Sequence, residues 1–148
     1  MGIFYIPQNV SVLTESLGYK VARKEVTFAA TVPGNQDLFT VTGDVKAITF
    51  GVCTTVLAGA LAVLAVGCVG ETNIIGGYTL ATDIDAGDIW WNDTPDSEIE
   101  DMSVVPEKFI ADGNDIILYY KTANVTSGVL AFYCFWTPLS AGASVVAA

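Results

Sequence analysis

The sequence predicts an all-β chain folded as an antiparallel β-sandwich. Three observations carry this: turn signals recur roughly every eight to twelve residues, the intervals between them alternate in polarity or run β-branched, and no stretch shows the period of an amphipathic helix.

Residues 1–22 have mixed polarity and weak periodicity, with Pro7, Gly18 and isolated Leu13 and Leu17. They predict an extended N-terminal arm ahead of one sandwich domain over 23–148. Val26, Phe28, Ala30 and Val32 then alternate with Glu25, Thr27, Ala29 and Thr31, a strand closed by Pro33-Gly34-Asn35. Residues 37–42 give a short strand with Phe39 and Val41, turned by Gly43-Asp44.

From 47 to 70 the chain carries no charge, between Lys46 and Glu71, a length that would cross a bilayer as a helix. Its chemistry is that of strands. Ile48, Thr49, Val52, Thr54, Thr55, Val56, Val63, Val66 and Val69 are β-branched, and four glycines interrupt the run. Ile48, Phe50, Val52 and Val56 share one parity against small or polar Ala47, Thr49, Gly51, Cys53 and Thr55, the pattern of a half-buried strand. The parse is therefore a long hairpin: a strand at 45–56, a turn at 57–60, and a strand at 61–69 buried on both faces. The competing reading is a small holin-like membrane protein, although no loop rich in Lys or Arg orients such a helix.

Residues 73–82 form a further apolar segment loosened by Gly76-Gly77. The acid-rich 83–101 reads as a long loop with one short strand. Asp112-Gly113 is the favoured pair of a two-residue hairpin and joins 109–111 to 116–120. The last strand, 129–136, is apolar on both parities, so it is central or meets another subunit.

Composition narrows the function. The 148 residues are 52% apolar and 15% charged, with sixteen acids against six Lys and Arg for a formal charge of −10. Without histidine there is no Ser-His-Asp triad, no Cys-His dyad and no His-ligated zinc, and the chain is read as no enzyme with no cofactor. Sparse positive charge argues against nucleic acid. A mean hydropathy of +0.52 exceeds what most soluble monomers need and points to covered surface. Three cysteines, an odd count, fit reduced thiols, and Met1-Gly2-Ile3-Phe4-Tyr5-Ile6 lacks the positive start of a secretory signal, which implies a cytoplasmic origin.

Asp83, Asp85 and Asp88 are the candidate calcium ligands, at a spacing that departs from the EF-hand because Gly87 and Asp88 stand at the wrong positions; a solvated acidic loop is the alternative, and no metal is called. Trp90 and Trp91 have two readings. Exposed together, they stack on a sugar ring; packed, one enters the core while its neighbour of opposite parity meets a partner.

The end of the chain, Phe135-Trp136-Thr137-Pro138-Leu139-Ser140-Ala141-Gly142-Ala143-Ser144-Val145-Val146-Ala147-Ala148, closes a final strand with Pro-Leu and a small-residue tail. With Val26-Thr27-Phe28-Ala29-Ala30-Thr31 and Leu38-Phe39-Thr40-Val41-Thr42-Gly43-Asp44-Val45, it resembles small all-β virion proteins of tailed bacteriophages, of the head decoration or cement type. The resemblance covers most of the chain from Val26 onward in pattern and order, without a chemical motif, and the acidic 83–101 stretch departs from it.

What the resemblance implies is a jelly-roll-like sandwich with an N-terminal arm, made in the bacterial host cytoplasm and placed on the virion's capsid surface. Its partners would be the major capsid protein and further copies of itself, a trimer being the expected homo-oligomer, with neither nucleic acid nor membrane among them. The resemblance carries over no functional residue; by residue type, since buried aromatics supply most of the energy at such surfaces, Trp90, Trp91, Phe132 and Trp136 are the expected contact residues, and the arm the next candidate. The alternative function is a carbohydrate- or receptor-binding β-module of a phage tail or fibre.

Overall fold

The computed structural model describes residues 18–29, 34–95 and 98–148. Ten strands form among them: β1 (Lys20–Thr27), β2 (Gly34–Thr42), β3 (Val45–Ala58), β4 (Val63–Cys68), β5 (Glu71–Leu80), β6 (Ile89–Trp90), β7 (Lys108–Ile110), β8 (Ile116–Lys121), β9 (Ser127–Pro138) and β10 (Ser144–Ala147). The helical content of the described residues is one 3-10 turn, Ala81–Asp83.

The strands build two antiparallel sheets. The front sheet runs β1-β9-β3-β6, with β7 also on β3, and the back sheet runs β10-β2-β8-β4-β5. The chain is all-β, as the alternation predicts, and β9 is central, as its two apolar parities require: β1 pairs with it on one side and β3 on the other.

Two expected hairpins do not form. β3 lies in the front sheet and β4 in the back sheet, so 59–62 carries the chain across the sandwich instead of folding it on itself. The Asp112-Gly113 turn exists, with Asn114 N–H donating to the Ala111 carbonyl at 3.2 Å, but it also joins opposite sheets, β7 to β8. A tight turn fixes a chain reversal and leaves open whether the strands pair or face each other across a core. Among the described residues β4 and β5 alone are consecutive strands that pair. Residues 47–70 are thus strand, crossing and strand, and no helix among the described residues is long and apolar enough to cross a membrane.

The core lies between the sheets. Leu130, Phe132, Cys134 and Trp136 of β9 point inward, facing Phe39, Val41, Leu64, Leu118 and Val145 of the back sheet. On β3 the inward parity is the small one, Val45, Ala47, Thr49, Gly51 and Cys53, while Phe50 and Val52 sit half-buried outside and Val56 is exposed. The half-buried strand is there, but its bulky parity faces out. The reason is volume: a Cβ on Gly51 would lie 3.1 Å from the Phe132 ring and 3.6 Å from the Trp90 indole, so the two rings already fill the space above this strand.

The predicted arm overlaps β1, since Lys20, Val21 and Ala22 are strand; residues 1–17 lie outside the described residues, as do Ala30 and Val32. Lys20 and Lys24 share the inward parity of Ala22 and Val26. Lys20 Nζ lies 5.1 Å from the Trp136 ring centroid, and Lys24 donates to the Ala148 carbonyl. Inward-turned charge on an edge strand discourages pairing with another sheet. The small-residue tail contains an unpredicted strand, β10, which pairs with β2 through Val145 and Val41.

One end of the sandwich is laced by acids. Val41 N–H donates to Asp115 at 2.8 Å, Gly43 N–H to Asp112 at 2.7 Å, Asp112 N–H to Asp44 at 3.0 Å and Asp44 N–H to the Ser140 hydroxyl at 2.9 Å. These bonds tie the β2–β3, β7–β8 and β9–β10 connections together and satisfy backbone donors that a crossing between sheets would leave open.

Candidate functional site

Three of the four aromatic contact candidates are inside the molecule. Trp90, Phe132 and Trp136 are buried in the core, and Trp90 packs edge-on to Phe132 with ring centroids 6.1 Å apart. They present no surface to a partner in the single chain. Trp91 is half-buried, with its indole Nε1 shielded from solvent and lacking a hydrogen-bond partner among the described residues. The two tryptophans therefore split by parity, and an exposed Trp90-Trp91 platform for a sugar ring does not exist.

The Trp90 position is set by chemistry at both ends of the side chain. Its Nε1–H donates to Thr79 Oγ1 at 2.9 Å, and the Thr79 hydroxyl lies 2.9 Å from the Gly77 carbonyl and 3.0 Å from that of Asn92. A front-sheet indole is thereby fastened to β5 of the back sheet, closing that side of the sandwich.

The three aspartates do not converge. Asp83 and Asp85 are exposed, while Asp88 is buried and its carboxylate accepts the Asp85 N–H at 2.9 Å. Its backbone carbonyl accepts from Cys53 N–H at 2.9 Å, so Asp88 shapes the turn into β6. Among the described residues no group of three or more Cys, Asp or Glu side chains is placed to hold a metal ion.

Two surfaces stand out instead. The first is the outer face of the front sheet, where Phe50 stacks on Tyr133 at 5.7 Å and meets Phe135 edge-on at 5.6 Å. Val21, opposite Phe135 in the register, is 59% exposed, and Arg23 lies over the Tyr133 ring at 5.5 Å. Apolar and aromatic groups framed by an Arg23–Glu25 ion pair of 3.1 Å have the anatomy of a contact surface. The residue types were in the sequence, but finding the face needed the parity of β3.

The second is a groove of about 310 Å³ at the laced end, between β5 and β7. Val69, Ile74, Ile75, Phe109 and Ile110 line it, with Cys68 in its wall and Lys108 and Glu71 among its polar groups. Phe109 is 77% exposed and separates this groove from a hollow beside Asp44 and Leu139.

The thiols are free. Burial, then the nearby Asp88 charge, pushes Cys53 from 9.0 to about 11, and burial pushes Cys134 to about 11. Raised folded values mean that the unfolded chain ionises first. Stability is fully present below pH 9 and falls as pH rises from 9 towards 11. Urea midpoints measured at pH 8 and pH 10.5 should show this drop, and Cys134→Ala should shrink it; an unchanged drop in that variant would assign the loss to other groups.

Compared with models of known protein families, with curated proteins and with solved structures, the chain finds no match in any of the three.

Proposed function

We propose that this chain is a structural protein of a tailed-bacteriophage virion, a decoration or cement protein that binds the major capsid protein on the outside of the head. The observation that carries the reading is the outer face of the front sheet, where half-buried Phe50, Tyr133 and Phe135 cluster beside exposed Val21. Such a surface is hidden by symmetry when copies associate, and we assign the chain to a homo-oligomer, a trimer. Spanning adjacent capsid subunits adds interface that outward pressure must break, and the charge of −10 keeps the protein away from packaged genome.

The fold is proposed as a jelly roll. Its support is the nesting of the pairs: β1 with β9, β2 with β8, β3 with β6 and β7, and β4 with β5. A ribbon folded once at β4–β5 and then rolled gives this order, with β10 added beside β2. Of the stretches that carry the phage resemblance, 39–42 of β2 pairs with 144–147 of β10, while Val26 and Thr27 end β1 opposite Leu130 and Val129.

The test is sedimentation with empty shells of the cognate capsid protein. Saturable co-sedimentation at micromolar protein, weakened by Val21→Asp, is the expected result. Folded protein that stays in the supernatant at every concentration would overturn the assignment.

A further inference from the structure

A trimer sets a geometric condition on its contacts. A patch that meets its own copy closes at two, so in a threefold ring the outer face of the front sheet must meet a different surface of the next copy. The crossing between β3 and β4 presents one.

Leu61, in that crossing, is 71% exposed and has φ +69°, a left-handed conformation that bulky side chains rarely adopt. Its surroundings hold it there. Ala62 N–H donates to the Gly59 carbonyl at 3.1 Å, Ala81 N–H to the Ala62 carbonyl at 2.8 Å and Thr126 N–H to the Ala58 carbonyl at 2.7 Å. Ala62 is fully buried, and a Cβ on Gly59 would lie 2.6 Å from the Asn124 carbonyl oxygen, so the crossing is clamped against the β8–β9 connection. The result is an exposed leucine on a rigid base, which has the form of an interface anchor and loses little freedom on docking.

The groove between β5 and β7 is a matching socket. Its volume of about 310 Å³ takes a leucine side chain, and Val69, Ile74 and Phe109 give it an apolar lining. By register Phe109 shares the face of Lys46, so the groove lies where the outer face of the front sheet ends. β4 runs from Val63, beside the Leu61 crossing, to Cys68 in the groove wall, about 17 Å along its six residues. A chain therefore cannot fill its own groove with Leu61, and the occupant is a second copy.

Charge fits the same pairing. Lys121 is the register partner of Val63, and Asp83 closely follows Ala81, whose N–H is bonded to Ala62, so a cation and an acid flank the crossing. Glu71 and Lys108 line the groove. Each side thus offers the other one charge of either sign.

We infer that Leu61 of one copy docks in the groove between β5 and β7 of the next, repeated three times around a closed ring. The inference rests on the homo-oligomer of the proposed function and names the second surface of its contact.

Cys53 and Cys134 are buried while Cys68 stands in the groove wall, so Leu61→Cys places a new thiol within reach of Cys68 only across copies. The experiment is oxidation of the full-length Leu61→Cys protein with diamide, read on a non-reducing gel beside absolute mass by light scattering. The expected result is a covalent trimer, abolished when Cys68→Ala is added. Leu61→Gly is the second variant. Glycine suits the left-handed conformation better than leucine, so circular dichroism should show the fold retained while association weakens about thirtyfold, the loss of one anchor residue. A trimer by mass that gives no cross-link, or a Leu61→Gly trimer as tight as wild type, would overturn the inference and leave the homo-oligomer standing. A wild-type monomer would overturn both, and cross-linked species beyond three would overturn the closed ring.

Discussion

Trp90→Ala is expected to lower the free energy of unfolding by about 3–5 kcal/mol, the range for removing a large buried aromatic side chain. Trp90 is 1% exposed, packs edge-on against Phe132 and fills the space over Gly51. The truncation opens a cavity that neighbouring strands cannot collapse into, because β3 is held on one side by β9 and on the other by β6. It also strips Thr79 of the indole donor and so loosens β5 from the front sheet. Chemical unfolding of the variant, with the change in midpoint read at an unchanged slope, measures the loss. A cost under about 1 kcal/mol would mean that the indole is not the closing member described here.

Gly128→Ala should be comparably damaging, at about 3 kcal/mol or more, for a different reason. Gly128 has φ +116°, and a Cβ there would stand 2.5 Å from the Leu57 side chain and 2.7 Å from the Val56 carbonyl oxygen. Backbone on both sides prevents relief, since Gly128 also accepts the Phe28 N–H at 2.9 Å where β9 begins. Gly113→Ala is the control: φ is +79° but nothing lies within 4 Å of the new carbon, so only backbone strain of about 1 kcal/mol remains. Thermal or urea unfolding of the pair should separate them clearly, and equal effects would show that conformation and not close approach governs both sites.

The strands themselves were legible in the sequence, because alternation and turn chemistry are local. Val26 and Phe28 point inward as their parity predicts, Phe39 and Val41 do likewise, and Gly43-Asp44 marks a real break, whereas Gly34 and Asn35, read as a turn, are the first residues of β2. Pairing was not legible. Val26 sits opposite Leu130, over a hundred residues away, and no turn signal records such a partner. The same gap explains why the crossings at 59–62 and at Asp112-Gly113 read as hairpins.

The parity of β3 inverted because Phe132 and Trp90, remote in sequence, had already taken the space above Gly51. β10 escaped notice because Ser144, Val145, Val146 and Ala147 are a weak strand sequence whose order comes from β2. The opposed parities of Trp90 and Trp91 were correctly anticipated by one of the two readings. The outer aromatic face was not, since it exists only once Phe50 and Tyr133 are placed side by side in register.

The central claim is that the outer face of the front sheet joins copies of this chain. Absolute mass by light scattering after size exclusion, in detergent-free buffer, tests it most directly. The expected result is a discrete oligomer, a trimer, that Val21→Asp converts to monomer without loss of folded structure. A wild-type monomer across the accessible concentration range would contradict the claim.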